Sequence, residues 1–275
     1  MQIGVALMGG SFMPEYKGGG KEEKTAFDRL VEGYELALGM GYDYIEASAG
    51  EILALNEGEL DELVRLTREG KFSLRYVNSF VRADLKICTA PPEDLKAYVD
   101  FASDRISKLG VKVIVFGSGI ARMRPDDMPF EEGQKKYLDF VGICAEAGKK
   151  YGLVFALEPL NRGETNILNS VAEGLEIVKS LGRPEIRILA DAFHMSLEGE
   201  KAKIVSDNSD LITHLHISEA PGRVYPGKFG GPYLIEFAKD LKSAGFDKDM
   251  TVECVFEDFE KEGPLALEFV KEKML

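Results

Sequence analysis

Eight short apolar runs, each followed by a stretch with helical character, constrain the fold of this chain more than any other feature. The runs are Ile3–Leu7, Tyr44–Ser48, Leu74–Phe80 and Val111–Gly117, then Leu153–Leu160, Ile186–His194, Ile212–Ala220 and Met250–Phe256. Each is rich in Val, Ile, Leu, Phe or Tyr and nearly continuously apolar at its start, as strands covered on both faces are. Between them lie Thr25–Met40, Glu59–Arg68, Pro92–Leu109, Glu131–Tyr151, Ser170–Leu181, Glu200–Ser206, Tyr233–Ala244 and Pro264–Lys273, which read as helices. Gly41, Gly110, Gly152 and Gly245 stand just before strand-like runs, where a helix ends and the chain turns back. Eight modules in 275 residues average about 34 residues each, which accommodates a βαβ unit of about 30. The pattern predicts an α/β chain folded as one (β/α)8 TIM barrel over residues 1–275. A doubly wound sheet would alternate similarly, but no GxGxxG follows the first run. Gly18-Gly19-Gly20 and Pro221–Gly231 read as loops within the barrel.

Composition narrows the function. The net charge is −13, from 34 Lys and Arg against 47 Asp and Glu, and no dense basic run interrupts it. That balance disfavours nucleic acid and anionic membrane surfaces as partners. Cys88, Cys144 and Cys254 are odd in number and form no CxxC, which argues against zinc fingers and disulfide frameworks and for a reducing compartment. No apolar run approaches the ~18 residues of a membrane span. The start, MQIGVALMGGSFM, has no basic segment ahead of its apolar residues, so no signal peptide is expected and a cytoplasmic location is.

In such barrels the chemistry sits at the C-terminal ends of the strands. The last four runs carry polar residues there. Glu158 falls late in the fifth, Asp191 and His194 end the sixth, His214 and His216 lie in the seventh, and Glu253 lies in the eighth. All three histidines of the chain fall between 194 and 216. Three carboxylates and an imidazole converging on one rim would repel one another and lose their hydration, and a divalent cation resolves both costs. An oxygen-rich set with one nitrogen suits Mn²⁺, Mg²⁺ or Co²⁺ better than a structural zinc. His214, two residues before His216 and one layer deeper, reads as a supporting residue.

These residues stand in segments that resemble the xylose isomerase-like barrel superfamily, and within it the D-tagatose/D-psicose 3-epimerases. The resemblance spans essentially the whole chain and is sharpest at LEPLNRGETN (157–166), DAFHMSLEGE (191–200), HLHISEA (214–220) and TVECVFE (251–257), with a weaker match at YIEASAGEI (44–52). It implies that Glu158, Asp191, His216 and Glu253 bind one divalent metal ion per subunit, with Mn²⁺ expected and Zn²⁺ able to occupy the site. It implies catalytic roles for Glu158 and Glu253, which would exchange the C3 proton of a ketose through an enediolate. His194 and Glu164 would contact the sugar. It further implies a small-molecule sugar substrate and a homodimer or homotetramer.

The chain departs from the epimerase pattern at several points. In the epimerases an arginine follows the second histidine of HxHxxE by six residues, whereas here Gly222 holds that place and Arg223 comes next, in a Pro-Gly-Arg segment similar to hydroxypyruvate isomerases. Arg223 is the candidate third substrate contact. The epimerases usually carry EPF in the last strand, where this chain has Glu253-Cys254-Val255-Phe256. Tryptophan is absent, leaving Phe12, Tyr16, Phe116 or Phe193 as candidate apolar walls. A sugar or hydroxypyruvate isomerase, or an inosose-type dehydratase, would keep the same metal site and change the reaction, whereas the complete ligand set argues against a non-catalytic sugar-binding barrel. A multi-metal endonuclease would need more histidines and a basic face.

Overall fold

A computed structural model describes residues 1–7 and 24–275. Eight parallel strands close a barrel in sequence order, with β1 pairing both β2 and β8. They are β1 (Ile3–Leu7), β2 (Tyr44–Ser48), β3 (Leu74–Asn78), β4 (Val113–Phe116), β5 (Val154–Leu157), β6 (Ile186–Asp191), β7 (Ile212–Ile217) and β8 (Met250–Val252). The principal outer helices are α1 (Ala26–Gly39), α3 (Glu57–Arg68), α4 (Pro92–Lys108), α6 (Phe130–Tyr151), α7 (Val171–Leu181), α10 (Pro232–Ser243) and α11 (Phe259–Phe269). Short helices α2 (Ala49–Ala54), α5 (Gly119–Arg122), α8 (Ala192–Leu197) and α9 (Lys203–Asp207) follow β2, β4 and β6. The barrel expected from the alternation is therefore the fold observed. Gly18–Gly20, Phe12 and Tyr16 lie outside the described residues.

The local signals act as expected. Thr25 and Asp28 form a capping box at the start of α1, and Asn56 and Glu59 form one at α3, moving that helix start two residues ahead of Glu59. Gly152 ends α6 with φ +68°, a left-handed turn that a side chain would strain. Pro264 does not open the last helix. Asp258 caps it, Phe259 packs on Phe256 at 4.9 Å, and Pro264 sits inside, followed by a final π-type turn over Val270–Met274.

Several strands end sooner than their apolar runs. β6 stops at Asp191, whose Oδ1 accepts the Phe193 N–H (2.8 Å) and caps α8, so His194 lies on a helix rather than a strand. β5 and β8 stop one residue before Glu158 and Glu253. Strand pairing, not hydrophobicity, sets these ends.

Side chains alternate along a strand, so residues two apart share the barrel interior. That interior holds little ordinary apolar filling. Val115, Ala156 and Leu189 form a small cluster apart from the main core. Beside it stand Tyr44, Glu46, His214 and Thr251, all buried. Gly4 gives Tyr44 its place, because a Cβ there would meet the tyrosine ring at 2.1 Å. Tyr44 then donates to the Met250 carbonyl (2.9 Å) and lies 3.1 Å from Thr251 Oγ1. Gly4→Ala should destabilise the fold by about 1–3 kcal/mol through overpacking. Urea denaturation checks this, and an unchanged midpoint would show that the ring yields freely.

Candidate active site and metal centre

The ends of β5 to β8 bring four ligand-type side chains together. Register places Asp191 beside His216 and Ile217 beside Val252, one residue before Glu253. Ligand atoms of Glu158, Asp191, His216 and Glu253 all lie within 4.8 Å of one another, and all four residues are buried. His216 Nδ1 is 2.7 Å from Glu253 Oε2 and 3.3 Å from Glu158 Oε1. Gly117, at the end of β4, makes room for the Glu158 carboxylate. A Cβ at that position would lie 2.2 Å from Glu158 Oε2.

A supporting residue absent from the sequence-based set lies beneath. Glu46, on β2, is fully buried. Its Oε1 faces His216 Nε2 (2.9 Å) and its Oε2 faces His214 Nε2 (3.0 Å), which also lies 2.9 Å from Thr251 Oγ1. Glu46 thus engages Nε2 of His216 and leaves Nδ1 aimed at the carboxylates, the arrangement in which an outer carboxylate orients a ligating imidazole. His214 stacks on Tyr76 (3.8 Å between ring centroids) and meets Glu46 Oε2, on the other side of that carboxylate from Oε1, the partner of His216 Nε2. Asn78, at the end of β3, donates to Glu253 Oε1 (3.1 Å). Period two along β2 and β3 could have flagged Glu46 and Asn78. Neither carries a local signal of its partners, which lie 168 or more residues away.

The candidate substrate contacts also converge. Arg223, with φ +53°, extends its guanidinium into the site. Its Nη2 donates to Asp191 Oδ2 (2.7 Å) and to Glu253 Oε2, its Nε donates to the Glu253 carbonyl (3.2 Å), and its Nη1 faces His194 Nε2 at 3.0 Å. The one-residue offset therefore does not keep Arg223 from the site. His194 Nδ1 meets the main-chain N–H (3.2 Å) and side-chain amide (2.8 Å) of Asn161, and that amide donates to Glu164 Oε1 (3.0 Å). A cavity of about 530 Å³ opens above, with Glu158, Glu253, His194, Glu164 and Arg223 in its lining.

The expected apolar walls differ. Phe116 is fully buried against Tyr137 and Phe140, and Phe193 lies under the Arg223 guanidinium (5.2 Å), so neither lines the cavity. Their strand and helix positions point them into packing. Ile120, Met123 and Leu160 supply the apolar side instead. Lys228, in the loop after β7, pairs with Glu257 (3.0 Å) and Glu262 (3.5 Å), as a surface lysine does.

Electrostatics separates the two glutamates. Burial raises the Glu158 carboxyl above its ordinary pKa, and the charges of Glu253 and Asp191 add to that against the pull of His216. Burial acts on Glu253 too, but Arg223 and His216 outweigh it and hold that carboxyl well below the usual range. Burial would likewise raise Glu46, yet His216 and His214 hold it down at about 2. His214 is pushed down by burial. His216 is desolvated as well, but Glu253, Glu46 and Glu158 raise it well above 6.5. Four buried carboxylates thus face the Arg223 guanidinium and the His216 imidazole. The donor set of three carboxylates and one imidazole nitrogen fits a divalent cation in its chemistry and its compactness.

The chain belongs to the xylose isomerase-like TIM barrel family, and the match covers residues 34–272. Its curated relatives include two D-psicose 3-epimerases. That of Enterocloster bolteae is 25% identical over 215 residues, 75% of this chain and 70% of the relative. That of Agrobacterium fabrum is 25% identical over 235 residues, 82% and 77% of the two chains. Among solved structures, a D-psicose 3-epimerase crystallised in the presence of D-fructose superposes with a TM-score of 0.79 at 19% identity, covering 100% of this chain and 99% of that one. No helix among the described residues is long and apolar enough to cross a membrane. Cys88, Cys144 and Cys254 are free and buried.

Proposed function

We propose that the chain is a divalent-metal-dependent ketose 3-epimerase acting on free ketohexoses or ketopentoses. The observation that carries this reading is the convergence of Glu158, Asp191, His216 and Glu253 at the floor of an open cavity that Glu158, Glu253, His194, Glu164 and Arg223 line. Its similarity to D-psicose 3-epimerases supports the choice of reaction. The ion would be held by those four residues, with Mn²⁺ expected, and would polarise the sugar carbonyl and stabilise the negative charge that develops when the α-proton leaves. The chain's own residues do the rest. Glu158 and Glu253 reach the site from non-adjacent strands, so each can serve one face of a planar enediolate, one removing the C3 proton and the other returning it. Asn78 and Arg223 orient Glu253, and Gly117 leaves the room that Glu158 Oε2 occupies. His194, Glu164 and Arg223 would bind the sugar hydroxyls.

The test is isotope exchange in D₂O, read by NMR, with D-psicose, D-fructose, D-tagatose, L-ribulose and hydroxypyruvate. Deuterium at C3 with interconversion of C3 epimers is the expected result. Label at C1 or C2 would make the protein an isomerase, and tight sugar binding without exchange would make it a binding barrel. The same reading places the enzyme in the cytoplasm as a homodimer or homotetramer. A sedimentation experiment showing only 30 kDa species at micromolar concentration would remove the oligomer.

Glu46→Gln probes the supporting shell. The amide would turn an N–H toward one of two imidazole Nε2–H groups, and Mn²⁺ affinity should fall by roughly 10- to 100-fold. Calorimetric titration with Mn²⁺ reads this directly, and unchanged affinity would remove Glu46 from the metal centre.

A further inference from the structure

Arg122, at the end of α5, is fully buried, and among the described residues its side chain forms no ion pair with a carboxylate. A buried guanidinium without a counter-charge is costly, and an apolar side chain of similar size would fill the space more cheaply. Its hydrogen bonds show what it does. Nη1 donates to the main-chain carbonyls of Glu158 (2.9 Å) and Phe116 (3.4 Å), and Nη2 donates to that of Leu168 (3.2 Å). These carbonyls belong to three segments: the end of β4, the residue after β5, and the loop beyond it. Phe116 and Leu168 carbonyls also accept the N–H groups of Glu158 and Leu160 (3.2 Å each). Among the described residues, the Glu158 carbonyl has Arg122 as its donor. The strand has ended at Leu157, and beyond it the Glu158 N–H still meets the Phe116 carbonyl while its own carbonyl is held by Arg122.

We propose that Arg122 is a positioning residue for Glu158, clamping its main chain from behind the site so that its carboxylate meets His216 and the cavity. The proposal rests on the reading of Glu158 as a metal ligand and base. Tyr137 covers the outer side of Arg122, with the guanidinium carbon 5.9 Å from the ring centre.

The test compares Arg122→Lys and Arg122→Met with the wild type, alone and combined with Glu158→Gln. Both single variants should fold by circular dichroism, bind Mn²⁺ roughly 10- to 100-fold more weakly, and lose kcat by a similar factor with a smaller change in KM. In the Glu158→Gln background the Arg122 substitutions should add little further loss of Mn²⁺ affinity, because residues acting through one another are not additive. Wild-type Mn²⁺ affinity in a folded Arg122 variant would overturn the proposal, as would an equal penalty in both backgrounds. Failure of both variants to fold would assign Arg122 to the scaffold instead. If Glu158→Gln alone leaves Mn²⁺ binding and turnover intact, the reading of Glu158 fails first and the proposal with it.

Discussion

Glu253→Gln should lower kcat for ketose epimerisation by roughly 10²- to 10⁴-fold while leaving sugar binding in the presence of Mn²⁺ far less affected. The amide keeps the size of the side chain and can still receive the Asn78 amide that now donates to Oε1 at 3.1 Å. It cannot take up a proton. The two-base geometry adds a sharper expectation. Glu158 remains, so one of the two C3 epimers should still exchange its C3 proton with D₂O, while its partner epimer does not and no interconversion follows. Glu158→Gln should show the reverse preference. Exchange of both epimers at wild-type rates in the Glu253 variant would exclude Glu253 as a base. Exchange of neither in both variants would point to one base working through a different group.

Removal of divalent ions by a chelator should abolish exchange, and Mn²⁺ should restore it. The argument is electrostatic. Ligand atoms of Glu158, Asp191, His216 and Glu253 are buried within 4.8 Å of one another, and Arg223 is the guanidinium that faces two of the carboxylates. A cation that binds the folded chain alone also stabilises it, by about 2.7 kcal/mol at a concentration 100 times its Kd. The melting temperature should therefore rise with Mn²⁺ concentration, and the rise should shrink in Asp191→Asn. An exchange rate that survives chelation, with elemental analysis finding no metal, would sink the metal reading. A melting temperature indifferent to Mn²⁺ would place the ion elsewhere.

The two experiments bear on different layers of the same arrangement. Mn²⁺ affinity reports on the four converging ligands and on Glu46 beneath them. Proton exchange reports on the two glutamates whose surroundings pull their carboxyl groups in opposite directions. A variant that keeps one and loses the other would separate ligation from base chemistry.

Much of this site is legible in the sequence because its signals are local. Strand number follows from apolar runs and the helices between them, and Glu158, Asp191, His216 and Glu253 stand at or just past the ends of those runs. The short helix after β6 is harder to read, since the apolar run continues through Ala192 and Phe193 while Asp191 caps a helix. The sequence by itself determined the barrel, its order and the four ligand candidates, because strand periodicity and strand ends depend on residues a few positions apart. Only the tertiary structure decided that Glu46 orients His216, that Asn78 and Arg223 hold Glu253, that Gly117 makes room for Glu158 and that Arg122 clamps it from behind. Each of those pairings joins different strands or loops, and closure of the barrel, not any local preference, sets the distance between them.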